Sequence, residues 1–252
     1  MPESTLTLTY TNLLALVGEF MGVGRTPTGE SLAKVNDAID KGYRQFLNPI
    51  VPGQKKAHRW SFLTPVASIT LAAGDYDYPL PDDFGGLMGT FTYPANTTSE
   101  TIQVTGEGRI RELRAQNPWS GRPRLAALRP VAVTLSSSRF EVIFWPTPAT
   151  VEAVTYRYSR LLNRLGVTNL YPVGGAQHSE TILECCLAAA EQMWDDQQGL
   201  HKQASIERLA ASILFDRSQG PDNLGYNADG SDLRAASDRL SEVLWDGQTM
   251  PF

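Results

Sequence analysis

The sequence predicts an α+β chain. Its N- and C-terminal helices form a helical bundle, with an inserted antiparallel β-sandwich or barrel-like module and an extended C-terminal arm. Three observations predict this. Apolar residues recur at helix spacing near both ends of the chain. Between them the texture changes to period two, in short runs broken by Pro, Gly and Asn. After Ser218 the chain becomes rich in Gly, Asn and Asp up to Gly230. Each helical stripe needs a partner, and the two helical blocks are the nearest candidates for each other; two independent domains in series is the rival arrangement. The expected divisions are 1–56 and 173–218 for the helical domain, 57–172 for the β module and 219–252 for the arm.

The elements follow in order. Leu13, Leu14, Val17, Phe20 and Met21 share one helical face, with Thr9 or Thr11 as N-cap and Gly22 and Gly24 as the stop. A loop then enters a second helix, with Thr26 capping and Pro27 at its first position. Leu32, Val35, Ile39, Tyr43 and Phe46 carry that helix until Pro49 and Pro52-Gly53 end it. Ala67–Leu71, Tyr76–Tyr78, Leu87–Tyr93 and Ile102–Val104 alternate as strands, and Ile110 and Leu113 mark a short helix over 108–116. Strands resume at 124–129 and 139–145, and again with Val154, Tyr156 and Tyr158. Leu183, Cys186, Leu187, Ala190 and Trp194 form a helical stripe with Gly199 past its end, and Ile206, Leu209, Ala210, Ile213 and Leu214 form another. In the arm, Leu233, Ala236, Leu240, Val243 and Leu244 repeat once more behind Ser231.

Composition narrows the function. The 252 residues carry 22 Lys and Arg against 27 Asp and Glu, a net charge of −5. That excludes a general nucleic-acid coat and a polybasic membrane binder. No apolar run approaches the ~18 residues of a membrane-spanning helix, and the N-terminus lacks the pattern of a secretory signal. The 2 cysteines, Cys185 and Cys186, are adjacent within a helical pattern, which points to a reducing compartment without a disulfide framework. Charge is uneven along the chain. Residues 107–174 hold 10 basic and 4 acidic side chains, whereas residues 219–252 hold 2 and 6. Arg outnumbers Lys by 17 to 5; this suits interfaces, and high-GC codon usage explains it equally well.

Motifs for chemistry fail on inspection. Gly24–Ser31 resembles a phosphate loop, but Glu30 stands where Lys must meet the phosphates and no strand precedes it. His178 with Cys185 and Cys186 has no recognised zinc spacing. Asn227–Asp232 echoes a calcium loop that lacks acidic ligands at Gly225 and Ala236. There is no G-x-S-x-G, and the cysteines sit in an acidic helix where a thiolate is disfavoured. Asp82-Asp83 reads as a rigid turn ending a strand, and Asn96-Thr97-Thr98 as a polar turn. The expectation is no enzyme, no cofactor, no metal and no nucleotide.

Several segments together carry a resemblance. These are Val35–Pro49 with Gly42-Tyr43-Arg44-Gln45-Phe46; His58-Arg59-Trp60-Ser61-Phe62-Leu63; Ile69–Phe84 with Tyr76-Asp77-Tyr78-Pro79-Leu80-Pro81; Phe144–Pro148 followed by Tyr156-Arg157-Tyr158; and the helices Glu184–Asp196 and Ile206–Asp216. In order and spacing, over roughly residues 10–217, the chain resembles the head-to-tail adaptor (neck, or connector) proteins of tailed bacteriophages. The resemblance implies a structural virion protein. It implies a homo-oligomeric ring, twelve-fold, that joins the portal to a neck stopper or tail protein and lines the DNA channel, with transient non-specific DNA contact and no membrane. It implies a place at the neck of the virion, after synthesis in the bacterial host cytoplasm. Leu240, Leu244, Trp245, Met250 and Phe252 are then the expected contacts with the portal or a neighbouring subunit. Arg109, Arg111, Arg114, Arg122 and Arg124 are the expected channel or inter-subunit arginines. The alternative is another phage tail or baseplate component whose β module binds glycan through a concave aromatic platform.

Overall fold

The structure, a computed structural model, describes residues 3–50, 57–94, 101–131, 140–194 and 199–218. The chain divides into two compact units, Met1–Ser212 and Ile213–Phe252. The described part of the second is residues 213–218, the end of one long helix.

Helices α1 (Tyr10–Phe20), α2 (Gly29–Leu47) and α4 (Ala176–Trp194) pack on one another. Thr9 caps α1 by accepting from the Asn12 backbone N–H, which satisfies one of the helix's orphan donors. Gly22 and Gly24 follow its end with left-handed φ angles of 69° and 85°. The start of α2 differs from expectation: its N-cap is Thr28, two residues beyond Thr26. Gly29 takes φ 57° there, so the turn entering the helix runs later than Pro27 suggests.

The crossing of α2 and α4 explains which residues α4 buries. A Cβ on Gly42 would stand 2.4 Å from Cys186 Cα and 2.6 Å from the Cys185 carbonyl oxygen. Such an approach needs small residues on both helices. Accordingly Ala38, Cys185, Cys186, Ala189 and Ala190 are buried. The expected stripe is therefore turned: Leu183 and Leu187 are half-buried and Trp194 is exposed. Helix α5 (Leu200–Ser218) is turned as well, with Ile206 and Leu214 exposed and Ser205, Leu209 and Ser212 buried. Its inner face is partly polar because Ser212 and Thr181 of α4 share a hydrogen bond of 2.7 Å, a pairing that apolar periodicity does not detect. Gly199 lies immediately before α5.

The β region is one seven-stranded sheet, nearly closed and barrel-like, not a sandwich. Its strands are β1 (Val66–Leu71), β2 (Asp77–Pro79), β3 (Phe84–Thr92), β4 (Thr101–Val104), β6 (Leu125–Pro130), β7 (Phe140–Trp145) and β9 (Glu152–Arg160). They run in the order β1-β9-β3-β4-β6-β7-β2. Near the two edges, the Tyr78 hydroxyl on β2 accepts from the Ala72 N–H just past β1, at 2.8 Å. The sheet is not wholly antiparallel either: β4 and β6 are parallel. A parallel pair needs a crossover, and α3 (Glu107–Gln116) supplies it, with Ile110 packed against Ala127 and Ile143 on the outside of β6 and β7. Two short strands, β5 (Ser120–Gly121) and β8 (Thr147–Pro148), form a second parallel pair. Inward-facing Leu71, Phe91, Ile102, Phe144, Val154 and Tyr156 fill the interior. The register of β3 against β9 slips between Met88 and Thr92, where Gly89 takes φ 83°, a bulge that favours glycine.

Candidate interface cleft

Among the described residues lies a cleft whose walls come from distant parts of the sequence. It measures about 390 Å³ and lies between the C-terminal end of α2, residues 57–63, and the exit of β9 at residues 159–162. A smaller hollow of about 160 Å³ shares Arg44, Leu47 and Leu162 with it and adds Asp40, Tyr43 and Arg164.

The first wall is built on tryptophan chemistry. The last turn of a helix leaves carbonyls without intrahelical partners. Trp60, fully buried, donates its indole N–H to the Phe46 carbonyl at 2.8 Å. It stacks on Phe46 at 4.8 Å and on Phe62 at 5.3 Å, and meets the His178 ring of α4 at 5.2 Å. The backbone of His58 donates to the Pro49 carbonyl. These contacts hold the 57–63 stretch against α2.

The second wall hangs from Asp83. Its carboxylate accepts from Arg160 Nε at 2.5 Å and from the Tyr158 hydroxyl at 3.0 Å, and its carbonyl accepts from the Leu161 N–H at 2.7 Å. Burial pushes the Tyr158 phenol above its ordinary value, and the bond to Asp83 pushes the same way. Beyond, the Tyr43 hydroxyl accepts from the Val173 N–H at 3.1 Å, which fastens the β9–α4 connection to α2. Burial also raises the Tyr43 phenol.

The cleft is cationic at its rim and apolar at its base. Arg44, Arg59, Arg160 and Arg164 stand against Asp40. Burial raises the Asp40 carboxyl, and Arg164 and Arg44 pull it back down. Half-buried Leu47, Leu63 and Leu162 form the base, and exposed Leu161 stands at the edge. A rim of guanidinium groups over leucines recognises carboxylates joined to apolar side chains. Cys185 and Cys186 are buried free thiols, Cys185 pushed by burial up to about 12 and Cys186 pushed up further by the same cause. Among the described residues no group of three or more His, Cys, Asp or Glu is placed to hold a metal, and no helix is long and apolar enough to cross a membrane.

The arginines singled out in the sequence sit elsewhere. On α3, Arg109 pairs with Glu112 at 3.6 Å and Arg111 with Glu107 at 3.8 Å. Arg114 lies over the Tyr76 ring at 3.3 Å. Arg122 makes two bonds of 2.9 Å to Glu152 and covers the Tyr93 ring. Arg124 is exposed at the residue before β6, where its carbonyl accepts from the Gln103 N–H at 2.9 Å. Leu240, Leu244, Trp245, Met250 and Phe252 lie outside the described residues, as do Asn96–Thr98 and Asn227–Asp232. Sequence reading missed the cleft arginines because no local charge run joins positions 44, 59, 160 and 164. The usable signal was the Trp60 and Asp83 motifs, whose side chains build the two walls.

The described residues thus combine an α+β fold, buried thiols and a cleft lined by arginines and leucines. The sequence model of the SU10 adaptor protein family matches residues 8–228, and the chain belongs to that family. This agrees with the phage head-to-tail adaptors that its motifs resemble, a structural family and not an enzyme family. No curated protein matches the chain.

Proposed function

We propose that the protein is the head-to-tail adaptor of a tailed phage: a homo-oligomeric, twelve-fold ring that joins the portal to the neck stopper or tail and lines the DNA channel. The observation that carries this reading is the family match across residues 8–228. The chain's opposed charge supports it, since a ring of identical subunits needs two different complementary faces. Residues 107–174 are basic on balance and residues 175–252 acidic. In this reading the helical domain comprises residues 1–56 and 173–218, the β module 57–172 and the arm 219–252. Leu240, Leu244, Trp245, Met250 and Phe252 of the arm anchor on the portal or a neighbouring subunit. Arg109, Arg111, Arg114, Arg122 and Arg124 face the channel or the next subunit, and DNA passes with weak, salt-sensitive contact. The protein is made in the host cytoplasm and ends at the neck of the virion.

The glycan-binding alternative needs a concave aromatic platform. The exposed Trp119 meets Trp145 edge to face at 74°, and Tyr78, Phe91, Phe144 and Tyr156 point into the barrel. Nothing observed favours it. Electron microscopy of the purified protein alone and mixed with portal-containing heads tests the adaptor reading. Rings that cap the portal vertex are expected; particles that never assemble and never bind heads would overturn it.

A further inference from the structure

We propose that the cleft receives the acidic C-terminal segment, residues 219–252, of a second copy of this chain. The inference rests on the self-association proposed above and gives it a place of contact. Charge is the first argument. The rim offers Arg44, Arg59, Arg160 and Arg164, with Asp40 as the opposing carboxylate on the walls and Asp83 already bound to Arg160. The segment carries 6 acidic and 2 basic residues, a net −4. Opposite charge in two parts of one sequence steers identical chains into a head-to-tail contact.

Alternation is the second argument. In the segment, carboxylates at Asp238, Glu242 and Asp246 interleave with Leu240, Val243, Leu244 and Trp245. The cleft presents the matching arrangement, guanidinium groups above leucine side chains. Leu161 there is 60% exposed, a large apolar group left uncovered at the cleft edge. The volume fits a few side chains, within the ~300–1,000 Å³ that ligand pockets span. Nucleic acid fits less well. Single strands bind where aromatic faces are open for stacking, and the cleft's tryptophan is fully buried.

The test uses the full-length chain with p-benzoylphenylalanine in place of Leu161. Light scattering reports the assembly state, and irradiation followed by denaturing electrophoresis and peptide mapping reports the contact. Adducts of two chains that map to residues 219–252 are expected. Arg44→Glu with Arg59→Glu should lower their yield about fivefold, as removal of two partly exposed ion pairs implies. Adding Glu242→Arg with Asp246→Arg should restore it. Should the double Glu variant fail to fold by circular dichroism, Arg44→Gln with Arg59→Gln replaces it, with the same loss expected. An assembled protein whose adducts have single-chain mass, map elsewhere or do not form would overturn this inference alone. A protein that stays monomeric would overturn it together with the ring.

Discussion

Replacing Gly42 by alanine tests whether the α2–α4 crossing is as tight as the geometry says. Helix propensity alone favours the change, because alanine in a helix interior is better than glycine by about 1 kcal/mol. The crossing opposes it. The new methyl would lie 2.4 Å from Cys186 Cα and 2.6 Å from the Cys185 carbonyl oxygen, all backbone atoms that cannot rotate away. Carbon atoms rest at about 3.5–4.0 Å, so the helices must part by roughly 1 Å. That loosens contacts among Ala38, Ile39, Ile182 and Ala189 and lengthens the 3.7 Å approach of Cys186 Sγ to the Ile39 carbonyl. Overpacking of this kind costs about 1–3 kcal/mol or somewhat more. We expect a net loss of about 1–2 kcal/mol, a fall in Tm of roughly 3–8 °C for a chain this size. Gly108→Ala is the control. That glycine is also helical, yet a Cβ there meets nothing within 4 Å, so a gain of a few tenths of a kcal/mol or more is expected. Calorimetric melts of both variants decide the matter. If Gly42→Ala melts at or above the parent temperature, the close crossing is wrong.

Three further outcomes follow from the same contacts. Trp60→Phe keeps the ring stack but removes the donor to the Phe46 carbonyl, so denaturant titration should show a loss of about 1–2 kcal/mol; an unchanged midpoint would deny that bond a role. Alkali should destabilise the fold. Burial raises Cys185 and Tyr156 each to about 12, from 9 and 10, so their contribution is complete below the unfolded values and fades as pH rises from about 9 toward 12. Melts at pH 7.5 and pH 10.5 measure this, and a Tm that rises with pH would contradict it; thiol labelling at neutral pH should likewise wait for unfolding. Arg122→Ala should cost about 1 kcal/mol by chemical denaturation, through the partly buried Glu152 pair and the Tyr93 stack, and a neutral result would mean solvent replaces both.

Much of the fold was legible because local rules and tertiary packing agree over these stretches. Thr9 caps as its position suggests, and Val35, Ile39, Tyr43 and Phe46 are buried as their spacing requires. The strands of the barrel follow their alternation in the same way, with Val142, Phe144, Val154, Tyr156 and Tyr158 turned inward. The readings fail where a distant partner sets the rule. Nothing near Leu183 reveals that Gly42, far back in the sequence, will press against Cys186 and rotate the buried face toward small residues. Hydropathy counts Ser205 and Ser212 as surface, because it cannot see that Ser205 donates to the Lys202 carbonyl and Ser212 bonds Thr181. The parallel β4–β6 pair looked like any other neighbour, since a ten-residue helix between short strands is a crossover only once both strands share a sheet.

The cleft illustrates the same limit at the level of function. Local charge density draws attention to the arginines of 107–130, yet Arg109, Arg111, Arg114, Arg122 and Arg129 are engaged by carboxylates or aromatic faces. Arginine that already holds a partner must exchange it to bind another, so a dense basic run is a weak indicator of a binding surface. The cleft arginines owe their grouping to two anchors. Trp60 ties one wall to the end of α2, and Asp83 ties the other to the end of β9. Each anchor satisfies backbone groups at the end of an element, where a free carbonyl or N–H would otherwise need water. The motifs that reveal the family are thus joints. They hold the 57–63 stretch to the end of α2 and the start of β3 to the exit of β9, and Asp83 in doing so already engages Arg160, one of the cleft arginines.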